Sequence, residues 1–169
     1  MAMLHRPTVA PVGSAVVRAG LGCEDGGVKP VKHSVAIVVR GADGTFLAVR
    51  RPDDPEDPLA GVWGLPAVTL EDSEDERMAA VRAGRVKLGV EVSVGARLGT
   101  KTADRGSYVL RLSDYEATVV SGTVSVPQSD ASMTQYADCR FVADPAVLGE
   151  AAGRGSLCAQ IFLESVARP

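Results

Sequence analysis

The feature that most constrains the fold is a helix whose two ends are both marked in the sequence. Ser73 is followed three residues later by Glu76, the capping-box pattern of a helix N-terminus, and the first turn is acidic, as the helix dipole favours. Gly89 is typical of a residue that ends a helix. Together these signals predict a helix over residues 74–88. The residues at helical spacing on its inward face are Ala80, Val81, Gly84 and Leu88. Because several of them are small, we expect the helix to lie close to the layer that it covers.

Runs of β-branched and apolar residues on both sides of this helix predict strands. The runs HSVAIVVR at 33–40 and TFLAVR at 45–50 are separated by a turn containing glycine and aspartate, which predicts a hairpin. Further strands are predicted at 90–98, 107–112, 116–126 and 135–142. The turns between them are predicted at Gly99, at 104–106 and at the Ser113-Asp114 pair.

The rest of the chain completes the fold class. Asp144-Pro145 and Ser156 are start signals for two C-terminal helices. Strands, a helix, more strands and terminal helices predict an α+β domain with a mixed sheet flanked by helices. Residues 1–30 are dense in glycine and proline and are predicted to be a flexible N-terminal arm, which leaves residues 31–169 as the folded domain.

Composition excludes several classes of function. Asp plus Glu is 21 against 18 for Lys plus Arg, and aromatic residues are 4% of the chain. Non-specific nucleic-acid binding needs a basic surplus, so no nucleic-acid partner is expected. The three cysteines lie far apart and form no CxxC pair, which argues against a structural zinc site. No apolar stretch is long enough to span a membrane, and a cytoplasmic protein is the expectation.

One segment carries a resemblance to a known family. The two strands, the loop RRPDDPEDPLAGVWGLPAV and the capped helix ending LGV resemble a Nudix-superfamily domain over about residues 32–142. The box of that family has glutamate, seven residues and arginine, then ends in glycine and an apolar residue. Glu74 and Arg82 have the required spacing, and Gly89-Val90 ends the box. The resemblance implies an α/β/α sandwich with a mixed sheet, in which Glu74 and Arg82 pair as a scaffold that holds the loop and helix.

The same segment departs from the family pattern where the family binds metal. The glutamates that bind Mg²⁺ or Mn²⁺ in the family are replaced by Ala83, Val86 and Lys87, and the Gly-Gly pair before the box is replaced by Ala67-Val68. Hard divalent cations need several oxygen ligands, which these side chains do not supply. We therefore expect no metal ligands in the box and no cofactor. Mg²⁺ stays as an alternative in which other acids ligate it.

Three residues are candidate catalytic residues. Glu74 and Glu76 belong to the acidic helix start, and Glu76 shares a helical face with the replaced metal positions. His33 is the only histidine in the predicted domain and a candidate general base. The alternative for the two glutamates is helix capping and interaction with the helix dipole, and for His33 it is an ordinary surface or core residue.

Four further residues are candidates for substrate binding: Arg50, Arg51, Trp63 and Glu116. The two arginines end the second predicted strand, where the family often contacts a phosphate or an adenine-like group. Their alternative is a plain surface pair. Trp63 is alternatively core or cleft wall, and Glu116, with Asp114, is alternatively part of a solvated turn.

Three functions remain open on the sequence. The first is a divergent Nudix protein that binds a nucleotide-like or other small ligand in the family cleft and catalyses a metal-independent reaction, for example in biosynthesis. The second is a non-catalytic sensor or binding module. The third is a diphosphate hydrolase with relocated metal ligands. A small-molecule ligand is expected in each, and a homodimer is expected by analogy with the family.

Overall fold

The computed structural model describes residues 27–128 and 135–169. The predicted N-terminal arm therefore lies, except for its last four residues, outside the described part of the chain. The strands are β1 (Val31–Val39), β2 (Phe46–Arg50), β3 (Trp63–Gly64), β4 (Ala67–Thr69), β5 (Glu91–Asp104), β6 (Val109–Ser121) and β7 (Asp138–Val142). The helices are α1 (Glu76–Ala83), α2 (Gly149–Gly153) and α3 (Leu157–Val166), with a π-helical turn at Gly84–Leu88 and a 3-10 turn at Pro145–Leu148. No helix among these is long and apolar enough to cross a membrane.

The strands form two sheets, and the larger one is mixed as predicted. Its order is β4-β1-β6-β5, with β1 parallel to β6 and the other neighbours antiparallel. The smaller sheet has the order β3-β2-β7 and is antiparallel throughout. The predicted α+β class is confirmed.

Helices cover both faces of the larger sheet. Val35 of β1 lies in the same buried cluster as Ala80 of α1. The next residue, Ala36, faces the opposite side of the sheet and lies in a second cluster with Phe162 of α3. Because successive strand residues point to opposite faces, β1 contributes to both cores and is buried on both sides. This is the sandwich that the resemblance implies.

The predicted hairpin between the first two strands is wrong. The strands themselves are present, but β1 lies in the larger sheet and β2 in the smaller one. Their only ladder contact in the described residues is a single antiparallel bridge between Arg40 and Phe46. The turn signal at residues 41–44 is real, but it directs the chain from one sheet to the other because each strand finds more pairing partners elsewhere.

The N-terminus of the box helix also differs from its prediction. The N-cap is Asp75, whose carboxylate accepts the Met78 N–H at 2.8 Å. Ser73 has a left-handed backbone with φ +65°, so it cannot be the extended N-cap of a capping box. The predicted end is confirmed: Gly89 has φ +71° and its N–H bonds the Arg85 carbonyl at 3.1 Å.

A second correction concerns the strands after the helix. Ser113 and Asp114 do not form a turn, because β6 runs through them without interruption and both are completely buried. Likewise, β5 continues past Gly99, where a turn was predicted, to Asp104. The turn predicted at 104–106 is confirmed and closes a long β5–β6 hairpin. The strand boundaries were predicted wrongly because glycine, serine and aspartate, which are typical of turns, lie inside these two strands.

The small inward residues of the box helix predict a close approach to the sheet, and Gly84 permits it. A Cβ at this position would lie 3.0 Å from both the Val90 carbonyl oxygen and the Val92 Cγ1. Of the predicted inward residues, Ala80, Gly84 and Leu88 are buried, whereas Val81 is only half-buried. Ala79 and Ala83, which were not predicted to face inward, are completely buried. The π-helical turn therefore begins where the backbone is pressed against β5.

We expect Gly84→Ala to destabilise the fold by about 1 kcal/mol. Alanine has the higher helix propensity by about 1 kcal/mol, but crowding of a packed interior costs about 1–3 kcal/mol. Urea unfolding measures the difference. The matched control is Gly149→Ala, because Gly149 has helical φ −61° and no atom within 4 Å of an added Cβ. This variant should gain about 0.5 kcal/mol, and equal gains in both variants would contradict the steric argument.

Candidate functional site

The first part of the site is an ion pair that joins the loop before α1 to the helix. The Arg82 guanidinium donates from Nε and Nη2 to the two oxygens of Glu74, each at 2.8 Å, and from Nη2 to the Thr69 carbonyl at 2.7 Å. Glu74 also accepts the Glu71 N–H at 2.9 Å. The Glu74 side chain is 9% exposed and that of Arg82 is 17% exposed. The guanidinium hydrogen bond holds the pKa of Glu74 below its usual range, although burial opposes it. All the hydrogen-bonding contacts of Glu74 are thus used to hold the segment's shape.

Glu76 is held by the sheet. Its carboxylate accepts the Tyr115 hydroxyl at 2.6 Å and the Ser113 hydroxyl at 2.9 Å, and Arg97 lies 3.6 Å away. Partial burial opposes its ionisation, but the hydrogen bonds from Tyr115 and Ser113 outweigh this effect and lower the pKa of Glu76. An ionised carboxylate that accepts two hydroxyls links α1 to β6.

The box positions that hold metal in the family contain no oxygen ligand. Ala83 is completely buried in the core, Val86 packs against it, and Lys87 is 4% exposed. The Lys87 Nζ lies 5.6 Å from the centre of the Tyr136 ring. Over residues 27–128 and 135–169, no three His, Cys, Asp or Glu side chains form a group that could hold a metal ion. The described residues therefore do not fit the divalent cation that the family resemblance implies.

A small cavity lies between the strands and the C-terminal helices. Its volume is about 100 Å³, and its walls include Arg51, Leu65, Leu112, Tyr136, Ser156 and Cys158. The Tyr136 hydroxyl accepts the Ala67 N–H at 3.0 Å, and burial raises the pKa of Tyr136 to about 12, so this tyrosine is neutral. A mostly apolar wall with a few polar groups is the composition of a small-molecule site.

Of the predicted binding residues, Arg51 lines this cavity. Its guanidinium also pairs with Asp57 at 2.9 Å. Arg50 instead donates to the Gly61 carbonyl at 3.1 Å and pairs with Asp53. The two adjacent arginines therefore point to different partners, as expected for neighbours on a strand.

The other predicted site residues lie apart from one another. Trp63 is half-buried, and the guanidinium of Arg140 stacks on its ring at 4.3 Å. Glu116 pairs with Arg40 at 3.0 Å and is on β6, not in a solvated turn. His33 is exposed on β1. These three side chains are not among the walls of the cavity.

Asp114 is the residue that the sequence interpretation placed most incorrectly. It is completely buried, and neither carboxylate oxygen has a hydrogen-bond partner. Burial raises its pKa to about 9, so the group is an uncharged acid near neutral pH. Burial also raises the pKa of the Cys158 thiol, and Asp114 raises it further once that carboxyl ionises at high pH. The sequence does contain a signal for this burial, because Leu110, Leu112 and Asp114 alternate with period two and so lie on one face of a strand.

The other cavity residues gave no local signal. Tyr136 reaches Ala67 from a position far along the chain, and Ser156 appeared only as a helix start. Its hydroxyl lies 3.2 Å from the Cys158 sulfur rather than capping the helix through its side chain. These contacts depend on how the last third of the chain returns to the sheet.

Comparison with known proteins agrees with this fold. A family model described as NUDIX domain matches residues 30–136, more than half of the chain. The CTP pyrophosphohydrolase of Escherichia coli is 27% identical over 104 residues, which cover 62% of this chain and 74% of that protein. The solution structure of the E. coli ORF135 protein aligns with a TM-score of 0.64 at 22% identity, over 83% of this chain and 95% of that one. A MutT protein from Methanosarcina mazei Go1 aligns with a TM-score of 0.60 at 20% identity, over 82% and 94%. The chain belongs to the Nudix family.

Proposed function

We propose that this chain is a divergent Nudix protein that binds a nucleotide-like small molecule and does not cleave diphosphates through a metal held by its box. The observation that carries the proposal is the donor set at the box: a buried alanine, an apolar valine and a buried lysine at the three ligand positions. Mg²⁺ needs oxygen ligands in near-octahedral geometry. A positive charge among the ligand positions opposes the binding of a second cation.

The cavity supports the binding half of the proposal. Its mostly apolar walls suit a ring-shaped group, and Arg51, Ser156 and the Cys158 thiol are the polar groups that could orient it. A volume of about 100 Å³ holds only part of a nucleotide, since whole-ligand sites are typically about 300–1,000 Å³. The ring is therefore the part assigned to this cavity, and the phosphates would lie outside it.

The experiment is a binding and turnover panel in Mg²⁺, in Mn²⁺ and in EDTA. CTP, a nucleoside diphosphate sugar and ADP-ribose are the probes, because the names of related and structurally similar proteins point to such compounds. Calorimetry measures binding, and chromatography measures product. We expect binding in EDTA and no turnover that metal stimulates. Turnover that persists in EDTA would instead assign a metal-independent reaction to the cleft.

The second candidate is a diphosphate hydrolase whose metal ligands come from outside the box. The observation that favours it is the relative named CTP pyrophosphohydrolase. In that case turnover needs Mg²⁺ or Mn²⁺, stops in EDTA, and falls in Glu76→Gln if Glu76 is one of the new ligands. Metal-dependent turnover by the unsubstituted protein would overturn the proposed function in favour of this one.

A further inference from the structure

Arg105 brings an exposed guanidinium to the wall of the cavity. It lies in the turn at 104–106 that joins β5 to β6, and its Nη2 donates to the Gly155 carbonyl at 2.7 Å. This bond runs from the tip of the hairpin to the turn between α2 and α3, so it holds the side chain beside the cavity. Because Arg105 is exposed and also forms part of the wall, it lies where the cavity opens to solvent.

The walls of the cavity carry a positive charge. The described residues that form them include two arginines, Arg51 and Arg105, and no aspartate or glutamate. Arg51 is neutralised by its pair with Asp57, and Asp104, the neighbour of Arg105, pairs with Lys29. The partner of Arg105 is instead a backbone carbonyl, which has no net charge. Arg105 therefore leaves a positive charge at the opening of the cavity.

The charges around Arg51 indicate on which side the anionic part of a ligand would lie. Arg51 also lines an outer groove, which it shares with three acidic residues, Asp54, Glu56 and Asp57. These carboxylates repel a phosphate, whereas the guanidinium of Arg105 attracts it. A guanidinium has five N–H donors and can donate to two oxygens of one phosphate. Its single bond to Gly155 leaves donors for such a contact.

We propose that Arg105 binds the phosphate of a nucleotide whose ring occupies the cavity, so that the chain prefers nucleotides to nucleosides. The inference rests on the proposed function and deepens it, because it names the residue that binds the charged half of the ligand. A guanidinium binds phosphate oxygens without a metal ion, which agrees with a box that offers no oxygen ligands. Because Arg105 is exposed, salt in solution screens its attraction for the phosphate.

The test is calorimetric titration of the full chain with CTP and with cytidine, in EDTA, at low and at high NaCl concentration. Arg105→Met removes the charge and keeps an unbranched side chain, whereas Arg105→Lys keeps the charge. We expect Arg105→Met to weaken CTP binding at low salt by about tenfold or more. Arg105→Lys should recover part of that loss, because an ammonium cannot make the two-point contact. Cytidine has no phosphate, so Arg105→Met should bind it like the unsubstituted protein, and high salt should reduce the effect on CTP.

The matched control is Arg111→Met. Arg111 is exposed on β6 between Leu110 and Leu112, which both line the cavity, so its side chain points to the opposite face of the sheet. The substitution changes the net charge by the same amount as Arg105→Met does. It should leave CTP binding unchanged, and thermal unfolding of each variant should show that the fold is retained.

The outcomes separate the two proposals. If Arg105→Met binds CTP as tightly as the unsubstituted protein, or weakens CTP and cytidine equally, the role of Arg105 is overturned while ligand binding stands. An equal loss in Arg111→Met would also overturn it, because net charge and not position would then be the cause. If the unsubstituted protein binds none of the nucleotide probes in any condition, the proposed function is overturned and the role of Arg105 falls with it.

Discussion

Asp114→Asn is expected to stabilise the protein by about 4 kcal/mol at pH 7, and the gain should grow as the pH rises. Asp114 is completely buried, with no hydrogen-bond partner for either oxygen. Its pKa is raised to about 9 from an ordinary value of 3.8. Asparagine has nearly the same shape and is uncharged in both the folded and the unfolded chain, so it removes the cost of keeping the carboxyl protonated at pH 7 while it leaves the packing intact.

The direction follows from the proton that the folded protein retains. Below pH 3.8 both the folded and the unfolded chain carry a protonated Asp114, and the group contributes its full stability. Above pH 3.8 the unfolded chain releases the proton while the folded chain holds it up to a pH of about 9. The free energy of unfolding therefore falls by up to about 1.4 kcal/mol for each pH unit that the pH rises within this window.

Urea unfolding between pH 4.5 and pH 8 measures this gain. The free energy of unfolding of Asp114→Asn minus that of the unsubstituted protein should rise steadily across the range. Asp72→Asn is the matched control, because Asp72 is exposed in the loop before α1. The difference in free energy of unfolding between Asp72→Asn and the unsubstituted protein should not change with pH. Parallel pH profiles for the unsubstituted protein and Asp114→Asn would show that the carboxyl is charged or solvated in the folded state.

The position of Asp114 shows how far sequence interpretation reaches in this fold. Hydrophobic period and turn chemistry located most of the strands, the box helix and its end at Gly89, because each of these is a local preference. The same rules assigned Asp114 to a solvated turn, because a charged aspartate is rarely left unpaired in a core. Only the tertiary environment, which keeps the acid protonated, allows it to remain in β6.

Pairing between strands was the part of the fold that the sequence could not supply. A short turn between β1 and β2 predicts a hairpin from local geometry alone. In the structure β1 instead pairs with β6 in parallel over its whole length, from Val31 to Val39. Such pairing depends on the total burial of both faces of the sheet, which becomes known only when the C-terminal helices and the box helix are both in place.

The candidate site shows a similar division. The pairing of Glu74 with Arg82 and the loss of the metal-binding positions could be predicted from the sequence, because these residues lie within one segment. The cavity could not be predicted, since Arg51, Tyr136 and Cys158 come from three distant parts of the chain. Of the residues predicted for ligand binding, Arg51 lies in the cavity wall. Its neighbour Arg50 does not, because successive residues of an extended chain point in opposite directions.

The other large effect is expected at the pair that holds the box segment, where Arg82→Met should cost about 3 kcal/mol of stability. The substitution leaves the Glu74 carboxylate, 9% exposed, without the guanidinium that donates to both of its oxygens. It also removes the hydrogen bond to the Thr69 carbonyl. Arg82→Lys should recover less than half of the loss, because one ammonium cannot reproduce the two-point contact.

The control for this prediction is another arginine of the same helical segment. Arg85→Met removes a pair with Glu91 in which both side chains are largely exposed, and exposed pairs contribute little, so its stability should be nearly unchanged.

The pH dependence of the Arg82→Met deficit separates the contribution of charge from that of packing. The pKa of Glu74 is held below its usual 4.5 by the hydrogen bond from Arg82, so the pair stabilises the fold above pH 4.5, and this contribution is lost as the pH falls through the lowered value. The deficit of Arg82→Met should therefore shrink in acid. A deficit that is the same at pH 3.5 and pH 7 would assign the role of Arg82 to packing along its aliphatic chain and not to the ion pair.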